Sequence, residues 1–216
     1  MQYIFFDLDG TLTDPKTGIT KSVQYALKKC GVEVENADYL CPFIGPPLRD
    51  SFKKFYGFND VDAENAVAFY REYFSEKGIY ENSIYDGIRE MLQELKSSQK
   101  TLILATSKPT VYATEILKYF NIYEYFTFIS GSELDGSRSK KSEVIQYAVE
   151  KNNISDLSEI IMVGDREHDI IGAKEVGISS IGVLFGYGDY DELQRAKADF
   201  IVGDAKELAV KLSSYK

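Results

Sequence analysis

The sequence predicts an α/β protein with a parallel sheet and a helical domain inserted after the first strand. Three observations carry this. From residue 85 onward, short β-rich runs alternate with segments of helical periodicity, the pattern of a parallel sheet covered on both faces. Between residues 14 and 82 that alternation stops, and three helical patterns follow with no strand among them. At 216 residues the chain is long enough for one core domain plus such an insertion.

In chain order, Tyr3-Ile4-Phe5-Phe6 is an apolar run and gives the first strand. Val23, Ala26, Leu27 and Cys30 stand at helical spacing over 19–31, closed by Gly31. A second helix is expected after Pro46-Pro47, with Leu48, Phe52 and Phe55 on one face. A third is expected over 61–77, its stripe formed by Ala63, Ala66, Val67, Tyr70 and Phe74. Ile88, Met91, Leu92 and Leu95 mark the next helix, and 101–105 a strand. Another helix follows Pro109, a favoured first-turn residue. Further strands are expected at 126–129, 160–163, 180–184 and 200–202. Helices are expected around 144–149, over 167–176 and from 205 onward. The core domain is therefore 1–13 with 83–216, and the helical domain 14–82.

A hydrophobic fraction of 44% and a charged fraction of 27% are those of an ordinary globular protein. The net charge of −9 argues against nucleic-acid polymers and anionic membrane surfaces as partners. It also means that an anionic substrate needs local cations. No apolar stretch reaches membrane-spanning length, and residues 1–8 lack the basic start of a signal peptide. Cys30 and Cys41 fit no metal-ligand spacing and are expected to be reduced thiols of a cytoplasmic protein. The sequence does not indicate an oligomeric state.

The first strand runs into Asp7-Leu8-Asp9-Gly10-Thr11-Leu12, at the carboxyl edge where open α/β sheets bind ligands. Two carboxylates one residue apart project from the same side of an extended backbone, and their repulsion calls for a cation. That pattern suits a Mg²⁺-dependent phosphoryl-transfer site. At the end of the second core strand, Thr106, Ser107 and Lys108 precede a helix, where hydroxyls and orphan amides can donate to phosphate oxygens, and Ser107 and Lys108 are the candidate substrate-binding residues there. Ordinary helix capping by Thr106 or Ser107 is the alternative. Lys140 and Lys141 stand just before a later helix, and one of them can neutralise a phosphate and a carboxylate together. Lys141 is chosen because it is closer to the helix start. Finally, 160–163 delivers Gly164-Asp165, with Asp169 four residues on. Asp7, Asp165 and the Asp9 carbonyl would suit octahedral Mg²⁺, with Asp169 holding a metal-bound water. In the inserted domain, the rigid Gly45-Pro46-Pro47 turn followed by Arg49 is the candidate substrate-contacting segment. Arg49 as a solvated surface residue is the alternative. His168 lies between Asp165 and Asp169 and is given no role.

This ordered set resembles the phosphatases of the haloacid-dehalogenase superfamily with a helical (C1-type) cap. The cap segment 43–48 and Gly186-Tyr187-Gly188 resemble its phosphoglycolate-phosphatase and 5′-nucleotidase-like branch. One departure is that Ser142, not proline, follows Lys141. The resemblance implies a three-layer Rossmann-like core with an all-α cap, and Mg²⁺ held by Asp7, Asp9, Asp165 and Asp169. It implies phosphomonoester hydrolysis in which Asp7 is the nucleophile, Asp9 the acid and base, and Thr106 and Lys141 stabilise the phosphoryl group. The substrate is expected to be a small phosphorylated metabolite, such as a nucleoside 5′-monophosphate or phosphoglycolate. A phosphomutase of the same superfamily would share every motif. A phospho-receiver-like switch would share the acidic site but has no use for a cap.

Overall fold

A computed structural model gives the protein's structure, described over residues 2–214. In chain order it contains β1 (Tyr3–Phe6), β2 (Thr13–Asp14), α1 (Lys16–Lys29), a 3₁₀ segment Ala37–Phe43, α2 (Leu48–Tyr56), α3 (Asp60–Tyr73), a π turn Phe74–Gly78 and β3 (Ser83–Ile84). There follow α4 (Ile88–Ser97), β4 (Thr101–Pro109), α5 (Thr110–Tyr119), β5 (Phe126–Ser132), α6 (Lys141–Lys151) and β6 (Ile160–Gly164). The chain closes with α7 (Glu167–Val176), β7 (Ser179–Val183), α8 (Tyr190–Ala196), β8 (Phe200–Val202) and α9 (Ala205–Ser214).

The six-stranded sheet has the order β5-β4-β1-β6-β7-β8, and its paired strands are parallel. β2 and β3 form a separate two-stranded sheet. The predicted doubly covered parallel sheet is thus present, and its central strands are apolar on both faces, as burial on both sides requires. Phe5, Ile103 and Met162 form one core with Val144, Ile145 and Ala148 of α6 and Ala173 of α7. Ile88, Met91, Leu92 and Leu95 of α4, which packs on β4, are also buried. β1 is central, and its register sets Phe6 beside Leu104 on one side and Val163 on the other. The ends of β1 and β6 therefore meet at one edge, beside the stretch of β4 that follows Leu104.

The chain divides into two compact units, 1–14 with 84–216 and 15–83. Within the second, α1 and α2 both pack on α3. Val23, Ala26 and Leu27 of α1 are buried, as are Ala63, Ala66 and Val67 of α3. Phe43 meets Phe52 at 5.0 Å between ring centroids and Phe55 at 5.5 Å, so α2 is anchored by aromatic packing.

Three expectations change. The helix over 61–77 ends at Tyr73 and widens into a π turn, where Gly78 packs so closely on the Gly18 carbonyl that a side chain has no room. β4 runs on to Pro109, because a residue preceding proline favours extended backbone and Pro109 pairs with Ser132. Helix α5 starts at Thr110, directly after Pro109 as expected, and neither Thr106 nor Ser107 caps it. Helix α8 was not anticipated, though Asp189 three residues before Glu192 is a start signal, and its side chain accepts from the Glu192 amide at 2.7 Å. Among the described residues, no helix is long and apolar enough to cross a membrane, and neither cysteine forms a disulfide.

Candidate active site

Asp7 follows β1 directly, and its amide donates to the Val163 carbonyl at 2.9 Å, continuing the ladder by one residue. Beyond it the chain curls so tightly that the Leu8 carbonyl accepts from the amides of Thr11, Leu12 and Thr13. Gly10 makes this turn at φ +85°, and a Cβ there would collide with the Asp165 carboxylate. Close approach is repeated on β6, where a Cβ on Gly164 would strike the Asp169 carboxylate.

This packing gathers Asp7, Asp165 and Asp169, all buried, with a carboxylate oxygen from each within 4.8 Å of the others. Asp165 is fixed by the Thr11 hydroxyl on Oδ1 at 3.3 Å and the Tyr187 amide on Oδ2 at 2.8 Å. Asp169 accepts from the Arg166 amide at 3.1 Å, which ties it to the first turn of α7. Between Asp169 and Asp7 lies the ammonium of Lys141, 2.7 Å from one and 2.9 Å from the other, donating also to the Ala105 carbonyl at 3.0 Å. Lys140 is exposed and sits outside this group. A second buried ion pair joins Lys108 Nζ to Asp9 Oδ2 at 2.6 Å.

Burial pushes the Asp169 carboxyl up to about 6, against the opposing pull of Lys141. Burial raises Asp165 well above the ordinary carboxylate range, with Asp169 and Asp7 adding to it. Asp9 is also raised by burial, with Lys108 opposing. For Lys141, burial works against the charged form, but Asp169 and Asp7 outweigh it and hold the ammonium protonated. With all four of these carboxylates ionised, the two ammonium groups leave two negative charges, which one divalent cation would cancel. The all-oxygen donor set of Asp7, Asp165 and Asp169 fits a hard cation such as Mg²⁺.

Of the other expected residues, Thr106 is buried within β4, two residues past Leu104, its Oγ1 accepting from the Lys108 amide at 3.3 Å. That leaves its O–H proton to donate. Ser107 has its carbonyl held by the Ser132 hydroxyl at 2.7 Å. The Asp9 carboxylate lies with Lys108 and not in the three-carboxylate group. Gly45 and Arg49 belong to the 15–83 unit, where Arg49 is half-exposed and paired with Asp60 at 3.0 Å. Sequence reasoning gave no role to Thr11 or Tyr187. Thr11 adjoins the first acidic motif, and Tyr187 is flanked by Gly186 and Gly188, neither of which has room for a Cβ beside Asp165.

A family model described as haloacid dehalogenase-like hydrolase matches residues 4–183. A 5′-nucleotidase from Pseudomonas aeruginosa is 44% identical over 212 residues, covering 98% of this chain and 96% of its own. The tyrosine-protein kinase PtkA of Mycobacterium tuberculosis is 37% identical over 201 residues, covering 93% of this chain and 68% of its own. The crystal structure of a predicted phosphatase from Clostridium acetobutylicum aligns with a TM-score of 0.97 and 48% identity over 99% of each chain. The chain belongs to the haloacid dehalogenase-like hydrolase family and is one of its phosphatases.

Proposed function

We propose that the protein hydrolyses small phosphomonoesters, nucleoside 5′-monophosphates foremost, through a phosphoryl group carried transiently by Asp7. The observation that carries this is the placement of Asp7 at a strand tip with a buried ammonium 2.9 Å from its Oδ1. A carboxylate held in place beside a fixed positive charge can approach an anionic phosphorus without prohibitive repulsion. The name of the 44% identical relative supports the nucleotide preference.

In the first step an Asp7 oxygen attacks phosphorus and the bond to the leaving oxygen breaks, while Asp9 gives that oxygen a proton. In the second, water attacks the aspartyl-phosphate, Asp9 takes its proton, and the Asp7 carboxylate is restored. Thr106 donates to a phosphoryl oxygen, and Lys141 offsets charge on the phosphoryl group and on Asp7. Ser107 adds a further contact to the phosphate. Asp7, Asp165 and Asp169, with the Asp9 carbonyl, would hold Mg²⁺, which when bound supplies positive charge against the phosphoryl oxygens. The 15–83 unit serves as the cap, and Gly45 and Arg49 contribute to substrate choice. Cytoplasmic residence belongs to the same proposal.

The test is phosphate release from a panel of nucleoside monophosphates, phosphoglycolate and sugar phosphates, with Mg²⁺ and with chelator. Steady, Mg²⁺-dependent turnover fastest on the nucleotides is expected. A single stoichiometric event per protein, or turnover only with a bisphosphate activator, would replace hydrolysis with a switch or a mutase. Arg49→Ala is expected to lower kcat/KM on the preferred substrate, and equal kcat/KM across the panel would remove that residue from substrate choice.

A further inference from the structure

The pairing of Lys108 with Asp9 has no place in the proposed steps as they stand, although its side chains are nearly as buried as those of the Lys141 pairs. The two side chains are 6% and 10% exposed, and Lys108 Nζ lies 2.6 Å from Oδ2. The other oxygen, Asp9 Oδ1, is inaccessible to solvent and has no hydrogen-bond partner. A buried carboxylate oxygen without a donor is costly, and sites of this kind are retained where the group has work to do. Lys108 itself is held in place, since its amide donates to Thr106 Oγ1 and its neighbour Pro109 is in register with Ser132 on β5. The same strand supplies the Ala105 carbonyl that anchors Lys141. The end of β4 thus fixes an ammonium on each of the two motif carboxylates.

We infer that Lys108 is the positioning residue of Asp9: by holding Oδ2 it fixes the carboxyl plane and leaves Oδ1 as the atom that exchanges a proton with the leaving oxygen and then with water. This rests on the reading of Asp9 as acid and base. It differs from a direct phosphate-binding role for Lys108, which would affect all substrates alike. In the first step the proton leaves Asp9 Oδ1 as the P–O bond to the leaving group breaks, and Lys108 keeps its own protons throughout.

The test compares kcat/KM, which reports the reaction up to release of the leaving group, for an alkyl phosphomonoester and for p-nitrophenyl phosphate. The alkoxide needs protonation and p-nitrophenolate does not. For Lys108→Met, kcat/KM on the alkyl ester is expected to fall about 100-fold or more, the usual worth of a positioned acid, and on p-nitrophenyl phosphate by less than about tenfold. Asp9→Asn should give the same split, and the double variant, which leaves no unpaired buried charge, should be no worse than Asp9→Asn alone. Lys108→Arg, keeping the charge, should recover part of the alkyl ester rate. Equal losses on both substrates, or additive losses in the double variant, would overturn the inference while leaving Asp9 as the acid. If Asp9→Asn itself shows no split, the acid assignment falls and takes the inference with it.

Discussion

The ammonium of Lys141, the first residue of α6, stands 2.9 Å from Oδ1 of Asp7 at the tip of β1. Both side chains are buried, so neither charge is screened by water as a surface pair would be. The pair gives Asp7 a fixed orientation and a compensated charge before any substrate arrives.

Replacing Asp7 by Asn keeps the shape and removes the nucleophile. Turnover is expected to fall on the order of 10⁴-fold or more, with the thermal midpoint little changed. Stopped reactions analysed by mass spectrometry should show a phosphorylated protein for the parent and none for Asp7→Asn. An active Asp7→Asn protein, once deamidation has been excluded by mass, would remove Asp7 from its role.

Lys141→Met leaves Asp7 and Asp169 buried without their common partner. In chelator at neutral pH a destabilisation of about 3–5 kcal/mol is expected, the usual cost of breaking a buried pair from one side. Denaturant unfolding measures it. Lys141→Arg should regain stability better than turnover, because a planar guanidinium does not place a single nitrogen among three oxygens as an ammonium does.

The raised carboxyls make a pH prediction with an unusual sign. A group whose folded pKa lies above its unfolded value favours the folded state when protonated, so its contribution is lost as pH rises. For Asp169 the window runs from about 4, the unfolded value, to about 6. Asp165 acts in the same direction. Lys141, also raised, contributes fully throughout this window and loses its effect only in strong alkali. In chelator, Asp165→Asn should therefore match the parent near about pH 4 and exceed its thermal midpoint at neutral pH. With Mg²⁺ the order should reverse, since the parent gains a ligand that the variant holds weakly. A variant less stable than the parent in chelator at neutral pH would contradict the burial argument.

Gly10→Ala places a Cβ at positive φ and against the Asp165 carboxylate. About 1–3 kcal/mol of stability is expected to be lost from backbone strain. Displacement of Asp165 should also weaken Mg²⁺, measured as a higher metal concentration for half-maximal activity. Unchanged metal dependence would mean that Asp165 is free to shift.

How much of this was legible beforehand differs between elements. The apolar runs of β1 and β6 and the stripe of α4 were readable because burial on a sheet or helix face repeats at a fixed spacing. The extension of β4 to Pro109 was not, because it depends on pairing with β5. The choice of Lys141 over Lys140 rested on nearness to the helix start alone, which does not say where either side chain points. Adjacent positions at a helix start point about 100° apart, and only the packing of α6 on α7, with Gly172 against the Lys141 stem, sends one inward and the other to solvent.

The sequence by itself determined that acidic and hydroxyl residues stand at the ends of successive strands, and in what order. It did so because strand and helix periodicity is local chemistry written in consecutive residues. Only the tertiary structure decided which of them meet: Lys108 with Asp9, Lys141 with Asp7 and Asp169, and Thr11 and Tyr187 with Asp165. Those distances follow from β1 lying between β4 and β6 in a particular register. Strand order and register are set by long-range packing of whole faces, which no short stretch of residues encodes.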